Sequence, residues 1–309
     1  MSIRFQIASA LGRASGMKKL FALPQEELLE KAQKMNQKRG FQIPTRKQFR
    51  YKEKTILGQH PCLKIETQPT PSKRALLFFF GGGYILDPDD GDVKLAEKFG
   101  KASGRDVWFP YYPLCTDHCV KETFEMAYET YRQMLREYAP ENIALLGFSS
   151  GAALTLGVCL HNNVQPEPLP MPGLIIASSP GNVPFSDEER QKMAELSPKD
   201  ILVDAVFMTT VRKIMEHGEQ VPDYMLSGVQ GDFTNFPMTH LYYGSDEVLY
   251  AEAPYFAKAF EKYGAPCAFH IGKGLCHCYP SFDFYPEGKQ AQEEIIGMLR
   301  NDGNTREQV

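Results

Sequence analysis

A serine with glycine two places before it and two places after it has the spacing of a nucleophile held in a tight turn. "GFSSG", residues 147–151, follows the apolar run "NIALLGF" and opens the small-residue stretch "GAALTLGVCLH". A serine set between a strand and a helix must turn sharply, and the two glycines remove side chains that would collide across that turn. Its hydroxyl is then exposed where the next helix gathers free amides and the positive end of its dipole. The register selects Ser149, because Ser150 has Phe148 and Ala152 in the flanking places. Alone, the motif reads equally as a strand-to-helix turn with an N-cap serine. The neighbouring glycines make the chemical reading more specific. Attack of a serine on an ester carbonyl creates an oxyanion, and losing one backbone donor to it typically raises the barrier by about 3–4 kcal/mol. "FFFGGGY", residues 78–84, supplies a bare backbone directly after another apolar run. The donors are assigned to Gly82, Gly83 and Ser150. A flexible turn explains one glycine comfortably and three in a row poorly.

These groups need a scaffold that brings strand ends together. From Ala75 the chain alternates between strand and helix patterns: "ALLFFF", then "GDVKLAEKFGKASG", "RDVWFPYY", "VKETFEMAYETYRQMLREY", "NIALLGF", "GAALTLGVCLH" and "GLIIASS". Such alternation implies an α/β chain with a mostly parallel sheet flanked by helices. The pattern breaks from Ser186 to about Phe236, where no strand is expected. Ser186 and Glu189 fit a capping box, and residues 200–217 read as a second helix rich in large apolar groups. Alternation resumes with "THLYYG", "APYFAKAFEKYG", "CAFHIG" and "GKQAQEEIIGMLR". Upstream, residues 24–38 read as a charged amphipathic helix, and residues 49–57 and 62–69 as strands.

The 309 residues are 43% hydrophobic and 23% charged, with a formal net charge of −4. That balance gives no electrostatic reason to expect nucleic acid or an anionic membrane as partner. The N-terminal apolar stretch is interrupted by Gln6, Gly12 and Arg13, reads poorly as an export signal and is too short to span a bilayer. Stable membrane insertion is therefore not expected. The 7 cysteines lack framework spacing, so free thiols in a reducing cytoplasm are expected. Oligomeric state is left open, and no cofactor is implied.

Together "FGGGY", "GFSSGAAL", "GSDEVL" and "GLCHCYP" resemble the hormone-sensitive-lipase-like branch of the α/β-hydrolase fold esterases. The resemblance runs from about Ala75 to the C-terminus. It implies an α/β-hydrolase core at residues 46–185 and 237–309, a helical cap at 186–236, and a helical segment at 1–45 belonging with the cap. Two places depart from the family pattern. Phe80 stands where a histidine usually precedes the glycines, and "YYPLCTDH" lacks the arginine often found in that motif. The chain order of the fold is serine, acid, histidine. After the late strand "THLYYG" come Asp246 and Glu247, side by side. The resemblance matches Asp246, with Glu247 as the fallback. His277 lies in the loop after the last strand, where the fold requires a base. The implied activity is a serine carboxylesterase acting on short-to-medium acyl esters. The implied catalytic triad is Ser149, Asp246 and His277, with a small-molecule ester as substrate.

Three rivals stand beside this reading. "CTDHC" and "CHC" contain soft ligands, but neither has common zinc-module spacing, and no metal is expected. A non-catalytic small-molecule binding protein on a hydrolase scaffold is the main alternative. A peptidase of the same fold would need a propeller or bulky lid for which the chain has no room. Phe207, Met208, Ile214, Met215, Tyr224 and Met225 either line an apolar pocket or pack the cap onto the body.

Overall fold

The computed structural model describes residues 2–301. The terminal stretch expected to fray, residues 301–309, lies outside this range apart from Asn301. Eight strands form one sheet in the order β1-β2-β4-β3-β5-β6-β7-β8. They are β1 (Arg50–Ile56), β2 (His60–Glu66), β3 (Ala75–Phe79), β4 (Asp106–Pro110), β5 (Ile143–Phe148), β6 (Leu174–Ser178), β7 (Thr239–Gly244) and β8 (Cys267–Gly272). β2 pairs antiparallel with both β1 and β4, and every pairing from β4 through β8 is parallel. β3, β4, β5, β6 and β7 are buried along their whole length, as continuous apolar runs covered on both faces must be.

Helices α4 (Asp90–Ser103), α5 (Val120–Met134), α6 (Ser150–Asn163), α10 (Ala253–Tyr263) and α11 (Pro286–Arg300) connect or flank these strands. α4 begins at an Asp89 capping box and ends at Gly104, which takes the left-handed conformation that a helix terminus favours. The N-terminal helices are α1 (Ile3–Ala14), α2 (Met17–Phe21) and α3 (Gln25–Asn36). Between β6 and β7 the described residues hold no strand. They hold α7 (Asp187–Leu196), α8 (Ala205–Glu216) and α9 (Asp223–Leu226).

Ser186 and Glu189 form the expected capping box at the start of α7. The second helix begins later than its pattern suggests. Asp200 turns its carboxylate back to the amides of Leu202 and Val203 at 2.8 and 2.9 Å, and Asp204 caps Val206 at 3.0 Å. Two acidic caps four residues apart thus hold residues 200–204 out of the helix.

No helix among the described residues is long and apolar enough to cross a membrane.

Candidate active site

β5 delivers Ser149 into a strained corner. Its φ of 55° and ψ of −123° are unusual for a residue with a Cβ. The corner closes because Gly147 and Gly151 lack side chains. A Cβ at Gly147 would lie 2.2 Å from the Gly151 carbonyl oxygen, and one at Gly151 would lie 2.3 Å from those of Phe79 and Phe80. The Ser149 amide donates to the Ser178 carbonyl at 2.9 Å, so β6 fixes the corner from its other side.

His277 comes from the loop after β8. The Ser149 hydroxyl donates to its Nε2 at 3.0 Å, and its Nδ1 donates to the Glu247 carboxylate at 2.8 Å. Glu247, rather than Asp246, is therefore the carboxylate joined to the imidazole, and the expectation for Asp246 is corrected. Asp246 makes no hydrogen bond to His277. Its carboxylate accepts from Ser245 Oγ at 3.3 Å and lies in a separate crevice shared with Ser9, Arg13 and Lys199. The backbone at Glu247 is extended, with φ −117° and ψ 152°, and successive side chains on extended backbone point to opposite sides.

Glu247 is fully buried but well partnered. It accepts from the Ser179 hydroxyl at 2.8 Å and from the Gly244 amide at 3.2 Å. Burial pushes its pKa up, against the pull of His277. Burial also works against a charge on His277, but the Cys278 sulfur and the Glu247 carboxylate outweigh it and hold the imidazole well above its ordinary value.

Sequence reasoning missed two supports. Ser179, at φ 53°, donates to Glu247 and accepts the Cys278 amide at 3.0 Å, so one hydroxyl joins the acid to the residue after the base. Asp200 accepts the Val248 amide at 2.8 Å, tying the segment between α7 and α8 to the turn that carries Glu247. Lys18 of α2 donates to the carbonyls of Ser197 and Asp200, extending that tie to the N-terminal helices. Glu252, at the end of the turn after Glu247, is also buried. Burial first, then Glu189, pushes its pKa up to about 8.

The glycine loop faces Ser149. Gly82 and Gly83 have φ of 132° and 64°, which a residue with a Cβ adopts only under strain. Their amides and that of Ser150 have no hydrogen-bond acceptor among the described residues. Phe80, fully buried, lies flat on Tyr112 at 4.1 Å with 5° between the rings, and the Tyr112 hydroxyl donates to the Phe80 carbonyl at 2.8 Å. The stack and the hydrogen bond brace the loop where the family commonly has an imidazole.

Ser149, His277, Gly82, Gly83 and Ser150 all line one cavity of about 380 Å³. Its walls are mostly apolar and come from α2 (Met17 and Phe21) and α8 (Phe207, Met208, Val211 and Met215). Ile214, Tyr224 and Met225, expected as alternatives for lining or packing, are not in that wall. The Tyr224 hydroxyl instead meets His161 Nδ1 at 2.7 Å. The cysteine motifs have partners elsewhere too. His118 pairs with Glu122 at 2.9 Å, and Cys119 Sγ lies 3.6 Å from the Glu216 carbonyl.

Comparison with known proteins agrees with this architecture. The chain is 26% identical over 231 residues to an acetyl-hydrolase of Streptomyces hygroscopicus, covering 74% of this chain and 75% of the relative. It is 25% identical over 236 residues to an esterase of Acinetobacter venetianus, covering 74% and 76%. Among solved structures, an esterase from the bacterial hormone-sensitive lipase family superposes with a TM-score of 0.79 at 20% identity, covering 98% of this chain and 99% of the other. EstE5, crystallised and soaked with p-nitrophenyl butyrate, superposes at 0.81 and 19% identity with the same coverage. The family model described as the alpha/beta hydrolase fold matches residues 76–281, from the strand before the glycine loop to just past His277, and the chain belongs to that family.

Proposed function

We propose that the protein is a serine carboxylesterase, with Ser149 as nucleophile, His277 as general base and Glu247 as the acid that orients it. The observation that carries the reading is the unbroken relay from Ser149 Oγ through His277 to Glu247, opening into a cavity edged by uncommitted amides. His277 Nε2 takes the proton as Ser149 Oγ bonds to the ester carbonyl carbon. The Gly82, Gly83 and Ser150 amides receive the oxyanion. Glu247 holds the Nδ1–H tautomer and stabilises the imidazolium. Collapse breaks the ester bond, and His277 returns the proton to the leaving alcohol. Water then attacks the acyl-enzyme with the same base, releasing the acid.

Residues 1–45 and 186–236 act together as the cap in this reading. The 4.4 Å contact between Phe21 and Phe207 and the Lys18 hydrogen bonds support it. The cavity's size and apolar wall favour a short-to-medium acyl chain, as does the p-nitrophenyl butyrate soaked into EstE5. Seven unpaired thiols suit a reducing compartment such as the cytoplasm. A p-nitrophenyl ester series from acetate to decanoate on wild type and Ser149→Ala tests the proposal, alongside labelling with a fluorophosphonate probe. Turnover should peak at short-to-medium chains and vanish in the variant, and the label should sit on Ser149. A wild type that neither turns over nor labels would leave a binding protein as the better reading.

A further inference from the structure

Helix α1 turns an apolar stripe away from the protein. Its inward face is set by Phe5, which meets Tyr285 edge to face at 5.0 Å, and by Gly12, where a Cβ would lie 3.0 Å from Ile201. Helical spacing then points Ile3, Ile7 and Leu11 outward, and they are 76%, 59% and 67% exposed. Three aligned exposed aliphatic groups form a contiguous patch, unlike scattered surface apolar residues. The opposite, inward face of the helix leads toward the site through Phe5 and Tyr285. Phe284, itself 55% exposed, sits 5.2 Å from Tyr285 and 5.5 Å from Phe282, and Phe282 lines the cavity that holds Ser149.

Charge is segregated along the chain, although Glu287 accepts from Ser2 at the start of α1 and Asp246 shares a crevice with Arg13. The first 25 residues contain Arg4, Arg13, Lys18 and Lys19 and no acidic residue, while the remainder holds 30 basic against 38 acidic. The overall balance of −4, which gave no reason to expect an anionic surface, averages over this difference. Arg4, Arg13 and Lys19 are exposed and form no ion pair among the described residues. An anionic surface would attract these three cations. An apolar stripe on a short helix, with unpaired cations on that helix (Arg4 and Arg13) and on the next (Lys19), is a device by which proteins lie in the plane of a lipid interface.

We infer that α1 seats the protein on a lipid surface carrying anionic headgroups. Ile3, Ile7 and Leu11 enter the acyl boundary, and Arg4, Arg13 and Lys19 meet the headgroups. At 12 residues the helix lies in the interface and does not span it. Seating does not depend on the esterase reading. If that reading holds, the stripe brings the cavity beside Phe282 to esters dissolved in the surface.

The test is sedimentation of the full chain with phosphatidylglycerol/phosphatidylcholine vesicles and with phosphatidylcholine vesicles alone. Binding is expected for the first, weakening as salt is raised. The double variant Ile7→Glu/Leu11→Glu is expected to lose at least about tenfold in partitioning. Because both side chains are exposed and off the cavity, its turnover of soluble p-nitrophenyl butyrate should match wild type. Failure of the wild type to sediment with anionic vesicles overturns the inference. So does a double variant that binds as well as wild type. A dimer in sedimentation equilibrium that the double variant abolishes, without vesicle binding, would assign the stripe to a second copy instead.

Discussion

Replacing Glu247 with glutamine and Asp246 with asparagine, one at a time, separates the two adjacent carboxylates. Charge is created on His277 when it takes the serine proton, and the Glu247 oxygen lies 2.8 Å from Nδ1. At that separation, with an effective dielectric near 20, the attraction is about 6 kcal/mol. Glutamine keeps an acceptor oxygen and the side-chain volume, so part of the hydrogen bond survives. The expected loss in kcat is roughly 100- to 10,000-fold, or about 3–5 kcal/mol in the barrier. Asp246→Asn removes a half-buried charge that does not touch the imidazole, and kcat should stay within about threefold of wild type. The assay is steady-state hydrolysis of p-nitrophenyl butyrate, with thermal unfolding of each variant to confirm folding. Glu247→Gln within tenfold of wild type, with Asp246→Asn disabled, would refute the reasoning and restore Asp246 as the acid.

Three further outcomes follow from the same geometry. The acid limb of the kcat/KM profile should have its midpoint above about 6.5, because His277 holds its proton more tightly than a free imidazole and is a base only when neutral. In Glu247→Gln that midpoint should move down, and an unmoved limb would assign it to another group. Ser179→Ala should lower kcat about tenfold with KM nearly unchanged, because the hydroxyl joins Glu247 to the Cys278 amide; a change confined to KM would contradict that role. Glu252 stays protonated in the folded protein up to about pH 8, against 4.5 as its ordinary value. The folded state therefore binds more protons between those values, and stability should fall as pH rises from about 4.5 to 8, by up to about 4 kcal/mol. Glu252→Gln should flatten that slope in thermal melts across the window, and a parallel slope would show that the buried carboxylate is not its source.

Local signals carried most of the architecture. Buried strands announced themselves as short apolar runs alternating with helical patterns, and Ser149, Gly82, Gly83 and Ser150 were readable because each motif lies within a few consecutive residues. His277 was readable from its place after the last strand. The acid was not, because Asp246 and Glu247 are neighbours of like chemistry and the choice depends on the side to which an extended residue points. Ser179 and Asp200 left no local mark. They reach their partners across 68 and 48 residues of chain, so their roles exist only once the turn after β7 has met β6 and the segment before α8. The later start of α8 came from Asp200 spending its carboxylate on loop amides, a competition that apolar periodicity does not register.

The flat pairing of Phe80 with Tyr112 bears on how the enzyme would behave in acid. Neither ring takes up a proton when the medium is acidified, and the phenol keeps its donor to the backbone beneath the glycines. The curvature that aims those amides is then insensitive to acidity, whereas an imidazole in the same place would bring a titration of its own.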